Sequence, residues 1–178
     1  FWGCYIPNRL PHYEKATRAV FSRLGMHVID LDGFTCCPEK SMMKNAGAEE
    51  WLVIAARNLS VAEEAAVSLV TPCTGCYGTL KGAAHALRDP RRRATVNARL
   101  AKVGRRSQGR VVVKHALELL WEDFGPQTLR QRVACPLTGL RVAVHHGCHL
   151  LRPSRELAFD DPFAPVKFDA LVRALGAS

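Results

Sequence analysis

The sequence predicts an α/β fold, a mainly parallel sheet flanked by helices, and three observations carry that prediction. Short apolar runs alternate with amphipathic stretches along the whole chain. The stretches between runs are long enough to be crossover helices, which parallel strands require. Cysteines gather just past the ends of the runs, the edge at which an open parallel sheet binds ligands.

In chain order, the candidate strands are residues 1–5, 26–31, 67–71, 110–113 and 140–145. A helix over 11–24 would bury Tyr13, Ala16, Val20 and Leu24, with Gly25 as its C-terminal cap. Residues 48–65 place Leu52, Ala55, Leu59 and Ala62 on one stripe, and Glu49 and Glu50 sit in the first turn, where the helix dipole favours carboxylates. A third helix is expected after Cys76 and a fourth after Pro90. Residues 116–124 repeat the pattern with Leu117, Leu120 and Trp121. After Pro136 the chain starts again: LRVAVHHGC, ending at Cys148, echoes the opening FWGC, and each is followed by a turn containing proline. The expected organisation is a first cysteine-rich unit over 1–130 and the start of a second over 131–178. With no initiator Met and an opening that reads as a strand already under way, the sequence reads as a piece cut at both ends.

Composition narrows the classes. Of 178 residues, 48% are hydrophobic and 23% charged, the make-up of a globular chain and not of a disordered or collagenous one. No apolar run approaches the ~20 residues of a membrane helix, so no membrane span and a cytoplasmic location are expected. The net charge of +9 attracts polyanions or acidic protein surfaces. Much of it lies in RDPRRR (88–93) and KVGRRSQGR (102–110). No aromatic residues interleave there to stack bases, so a solvated basic face is preferred and no nucleic-acid partner is expected.

Seven cysteines are present, and five follow the order C-x31-C-C-x35-C-x2-C: Cys4, Cys36, Cys37, Cys73 and Cys76. Each group falls just past a candidate strand, so the five thiols would converge on one crevice. Disulfides would need an oxidising compartment, and a vicinal pair is poorly shaped for simple pairing. Structural zinc usually takes two closely spaced pairs. A thioredoxin-like reading of Cys73 and Cys76 leaves the other three unexplained. An iron–sulfur cluster needs several convergent thiolates and accounts for all five.

This order resembles the cysteine-rich motif of the heterodisulfide reductase B-subunit family, often called the CCG domain. The words GCYIPNRLP, LDGFTCCPE, WLVIAARNL, VTPCTGCYGTLK and HHGCHLLRPS resemble stretches of that family too, so the likeness runs over essentially the whole chain. The resemblance implies that Cys4, Cys36, Cys37, Cys73 and Cys76 ligate a noncubane iron–sulfur cluster of the 4Fe-4S type. It implies two such clusters in the full-length protein, Cys148 being the first ligand of the second, with its remaining ligands past Ser178. The implied role is the catalytic subunit of a heterodisulfide reductase-like complex, reducing a small disulfide of the CoM-S-S-CoB type to two thiols. Electrons would come from an iron–sulfur donor protein, similar to the C subunit of such complexes, and from a flavin-containing subunit. The same domain also serves as an electron-transfer module in sulfur oxidation, lactate or glycolate oxidation and quinone-linked reduction, which is the alternative.

Two positions depart from the family pattern: Pro38 follows the cysteine pair in place of glycine, and Cys135, outside both motifs, reads as a buried small apolar residue. His145 and His146, with His149 nearby, are candidate proton donors for a leaving thiolate, against an ordinary role at a strand end. Arg152 is a candidate for binding an anionic substrate tail, against an ordinary surface arginine.

Overall fold

Two parallel strands, β1 (Leu69–Thr71) and β2 (Val113–His115), form the sheet, pairing Leu69 with Val113 and Thr71 with His115. The structure is a computed structural model and describes residues 1–39, 43, 45 and 47–178. The crossover between the strands carries two helices, α4 (Thr74–Ala86) and α5 (Pro90–Leu100). Before them come α1 (Tyr5–Arg9), α2 (Pro11–Arg23) and α3 (Ala48–Glu64). After β2, α6 (Ala116–Leu119) runs into a π turn, Leu120–Phe124, and α7 (Gly125–Gln131). Three short helices close the chain: α8 (Cys148–Leu151), α9 (Ser154–Leu157) and α10 (Lys167–Ala174).

The parallel, helix-flanked sheet is as expected, but it is smaller than the sequence suggested. Residues 26–29 alternate half-buried and exposed as a strand would, and Met26 and Val28 pack with Val70 around Phe21. They form no ladder, however, and the Phe1 nitrogen donates to the Val70 carbonyl at 2.8 Å without the rest of 1–5 pairing. Residues 140–145 are not a strand either: Val142 and Leu140 instead exchange backbone bonds with Ser178 at 2.7 and 3.0 Å. Side-chain alternation reports burial, and a ladder additionally needs a partner strand at hydrogen-bonding distance.

Helix α3 follows its predicted stripe. Leu52, Ala55, Leu59 and Ala62 are buried against α4 and α5, in a core that Tyr77 and Leu80 of α4 share. Helix α2 does not follow its stripe. Tyr13, Ala16 and Val20 are exposed, and Thr17 and Phe21 are buried. The Thr17 hydroxyl donates to the Tyr13 carbonyl at 2.8 Å, which satisfies it inside and lets the helix turn its other face outward. Helices α8 and α9 lie across α4, so Leu150, Leu151, Leu157 and Phe159 complete the same core.

One ion pair is buried beneath α4. Lys81 donates to Glu118, of which 4% is exposed, and to the Tyr77 hydroxyl at 3.0 Å. Glu118 also accepts the His115 N–H at 3.3 Å, while His115 Nδ1 accepts the Leu117 N–H at 3.2 Å, a reciprocal cap that starts α6 at the end of β2.

Candidate functional site

Three segments meet at the carboxyl end of β1. The strand leads through Pro72 to Cys73, whose N–H donates to the Thr71 hydroxyl at 3.3 Å, and Cys73 becomes the residue from which α4 springs. The helix therefore begins before Cys76 and not after it, placing both thiols of Cys73-Thr-Gly-Cys76 around its first turn. Similarly, α1 begins directly after Cys4, and Asn8 donates to the Cys4 carbonyl at 2.6 Å.

The vicinal cysteines ride on a loop that α3 and α4 hold. Arg57 donates to the Gly33 carbonyl at 2.6 Å. Asn58, fully buried, accepts the Thr35 N–H at 2.9 Å and donates to the Cys36 carbonyl at 3.3 Å. The Thr79 hydroxyl donates to the Pro38 carbonyl at 3.3 Å, so the residue that breaks the family pattern is anchored through its oxygen.

These supports bring the five thiols together. Cys37 Sγ lies 3.0 Å from Cys76 Sγ, and Cys36 Sγ lies 3.5 Å from Cys4 Sγ. Gly3 joins the two pairs: at φ +70°, a Cβ there would stand 2.7 Å from Cys76 Sγ. Only glycine accepts that backbone conformation and that approach at once. Cys37 and Cys76 are buried, Cys73 is half-buried, and Cys4 and Cys36 are exposed beside a cavity of about 310 Å³ that Phe1, Trp2, Ile29 and Phe34 help to line.

The thiols differ in acidity. Cys73 is pulled down to about 6, first by the hydrogen bond from Cys76 and further by the N–H groups of Cys76 and Gly75 at the helix start. The contact with Cys76 also holds Cys37 below the usual thiol value, while hydrogen bonding with Cys37 and Cys73 pushes Cys76 up. Burial and the contact with Cys4 raise Cys36 to about 11. Thiolates are the metal-binding form, so this is an all-sulfur donor set for a soft, thiophilic metal. Among the described residues no three His, Cys, Asp or Glu side chains are grouped to hold a single metal ion; Cys76 contacts Cys37 and Cys73, and Cys36 contacts Cys4. Ligands of a cluster bind different irons, so thiols spread over several neighbouring contacts fit a polynuclear group.

The remaining sequence candidates are placed less centrally. Cys148 starts α8 and is exposed, and it makes none of the sulfur contacts above. Cys135 is exposed, not buried as expected, in a stretch whose side chains face solvent over residues 134–141. His145 is exposed, and His146 Nε2 faces Asp169 at 3.6 Å with its ring edge-on to Phe168. Arg152 donates to the Pro162 carbonyl at 2.9 Å and stacks over Phe163. Asn58 and Glu39 escaped the sequence reading. Asn58 had a signal, a polar side chain within the apolar stripe of α3. Glu39, 3.7 Å from His149, had none.

A helix-flanked parallel sheet whose carboxyl edge gathers thiols from three segments defines a cysteine-rich redox-type domain. Residues 1–81 match the cysteine-rich (CCG) domain family. The B subunit of the ferredoxin:CoB-CoM heterodisulfide reductase of Methanosarcina mazei is 40% identical over 99% of this chain and 59% of its own length. A protein of Archaeoglobus profundus described as similar to the heterodisulfide reductase B subunit is 38% identical over 99% of the chain and 60% of its own. The 8-methylmenaquinol:fumarate reductase membrane anchor subunit of Wolinella succinogenes is 33% identical over 99% and 61%. The chain is similar over nearly its whole length to heterodisulfide reductase B subunits, and its residues 1–81 match the cysteine-rich domain family. It spans about 59% of the length of the first of these relatives. Among the described residues no helix is long and apolar enough to cross a membrane.

Proposed function

We propose that Cys4, Cys36, Cys37, Cys73 and Cys76 hold a noncubane iron–sulfur cluster, and that the chain is part of the catalytic subunit of a heterodisulfide reductase-like complex. The observation that carries this reading is the convergence of the five thiols, with Sγ–Sγ distances of 3.0 and 3.5 Å and Gly3 packed on Cys76. When bound, such a group supplies electrons one at a time to a two-electron reduction of a disulfide to two thiols. The protein's own residues do the holding and the shielding. Arg57, Asn58 and Thr79 fix the loop of Cys36 and Cys37, and the start of α4 presents N–H groups that favour negative charge at Cys73.

Access is from one side. Cys37 and Cys76 are sealed by the core, whereas Cys4 and Cys36 border the cavity, so a small disulfide reaches the site past Trp2 and Phe34. Electrons come from a partner iron–sulfur subunit fed by a flavin-containing one. A second unit, beginning near residue 131 and opening with Cys148, provides the second cluster site in the longer protein.

The Wolinella relative favours a second reading, an electron-transfer module in a quinone-linked reductase. Both readings require the cluster. The test is iron, acid-labile sulfide and zinc per chain after anaerobic reconstitution. About four to five irons with matching sulfide are expected. Zinc near one with no iron would overturn both.

A further inference from the structure

Several cations of residues 88–110 are tied to α3 and others point away from it. Facing α3, Arg99 reaches Glu50 at 3.2 Å and Arg105 reaches Glu64 at 2.9 Å. Glu63 accepts the backbone N–H groups of Gln108 and Arg110 at 2.7 Å each. These contacts fasten α5 and the loop after it to the body of the protein. On the outer side, Arg91, Lys102 and Arg106 are exposed and have no acidic partner among the described residues. The carboxylate near Arg92 is that of Asp89, 3.9 Å away, which already caps α5 by accepting the Arg91 N–H at 2.8 Å.

Arg91 and Lys102 lie on one side of the helix. Arg91, Thr95, Ala98 and Lys102 follow one another at helical steps, opposite Val96 and Leu100, which are 1% exposed. The stripe is about 16 Å long. Asn97 and Ser107 exchange hydrogen bonds of 2.9 and 2.8 Å, which lays the loop carrying Arg106 alongside.

We propose that this face docks a carboxylate-rich surface of a protein partner. Planar guanidinium groups match carboxylates in two-point contacts, and Arg91 and Arg106 present two of them to solvent beside the Lys102 ammonium. The face carries no aromatic ring to stack a base, and Val103 is its one exposed large apolar side chain among the described residues, too little to enter a bilayer. Helix α4 runs from the thiols at its start toward this region, about 18 Å along its axis. A partner held here anchors the chain in an assembly and leaves the cavity at Cys4 and Cys36 open. The proposal rests on the reading of the chain as a subunit only for the partner's role, not for the contact itself.

The test measures anisotropy of a fluorescent peptide of Glu-Ala repeats with the reconstituted full chain. Three proteins are compared: the unaltered chain, the face variant Arg91→Glu/Lys102→Glu/Arg106→Glu, and a control with equal charge change elsewhere, Arg132→Glu/Arg141→Glu/Arg155→Glu. Affinity is expected to fall about tenfold or more in the face variant and to stay within about twofold in the control. Equal loss in both variants, or no binding by the unaltered chain, would overturn the proposal. So would a DNA duplex or phosphatidylglycerol vesicles binding more tightly than the peptide and losing affinity in the face variant alone. Iron and sulfide per chain, read on the same samples, stay equal across the three, so failure of the docking face and failure of the cluster reading are told apart.

Discussion

Two corners of the molecule have nearly the same backbone and different surroundings. At Gly3-Cys4 and at Gly147-Cys148 the glycine has φ +70° and +72°, and each cysteine leads into a short helix. At the first corner a Cβ on the glycine would meet Cys76 Sγ at 2.7 Å; at the second it would meet nothing within 4 Å. The first corner is pressed against a loop and a helix start that bring four more thiols, whereas the second has α4 beneath it and open space above. A glycine–cysteine corner thus supplies one thiol, and the site is made by the segments packed around it.

Changes at three depths would sharpen or break this contrast. The largest effect is expected where both corners share a support. Lys81→Met leaves the Glu118 carboxylate buried without its cation, at a cost of about 3–5 kcal/mol, and because α4 carries Cys76 and supports α8, both corners loosen. Urea denaturation reads the loss, and a Lys81→Met chain as stable as the unaltered one would show that α4 does not couple the corners. Gly3→Ala acts on the first corner alone. Its backbone conformation costs about 1–2 kcal/mol, displacement of Cys76 Sγ adds to that, and reconstituted iron per chain falls. Gly147→Ala bears the backbone cost only and keeps its iron; if the two variants lose iron equally, the packing contrast is wrong.

The third effect concerns the end of β2 and depends on pH. Burial holds His115 down to about 4 against an ordinary 6.5, so between those values the unfolded chain binds a proton that the folded chain does not. Its contribution is complete above that window and is lost as pH falls through it, by up to about 3 kcal/mol. Denaturation midpoints of the reduced, metal-free chain should drop accordingly, and His115→Asn, which keeps an oxygen to cap α6, should flatten the slope.

How much of this was legible depended on whether the signal was local. The stripe Leu52, Ala55, Leu59 and Ala62 fixes α3 because a long helix with one apolar face has few ways to pack. Strand-end reasoning holds for Cys73 and Cys76, which follow β1, whereas Cys4, Cys36 and Cys37 reach the same place on a helix start and a loop. The strands at 1–5, 26–31 and 140–145 were over-read, since alternating burial along Met26 and Val28 does not tell whether a neighbour completes a ladder. Helix α2 was turned the wrong way because Thr17 satisfies its own hydroxyl and so can be buried. Lys81 and Glu118 are 37 positions apart with no pattern joining them, and only the packing of α4 on β2 makes them partners. Arg152 looked free for a substrate, but the Pro162 carbonyl and Phe163 occupy it.

The central claim is that five thiols at the first corner form one metal centre to which the second corner does not contribute. It is tested most directly by iron and acid-labile sulfide per chain, measured after anaerobic reconstitution of the unaltered chain, Cys37→Ala and Cys148→Ala in parallel. The account predicts that Cys37→Ala loses its iron and sulfide and that Cys148→Ala keeps both at the unaltered level. Full iron in Cys37→Ala, or its loss in Cys148→Ala, would contradict it.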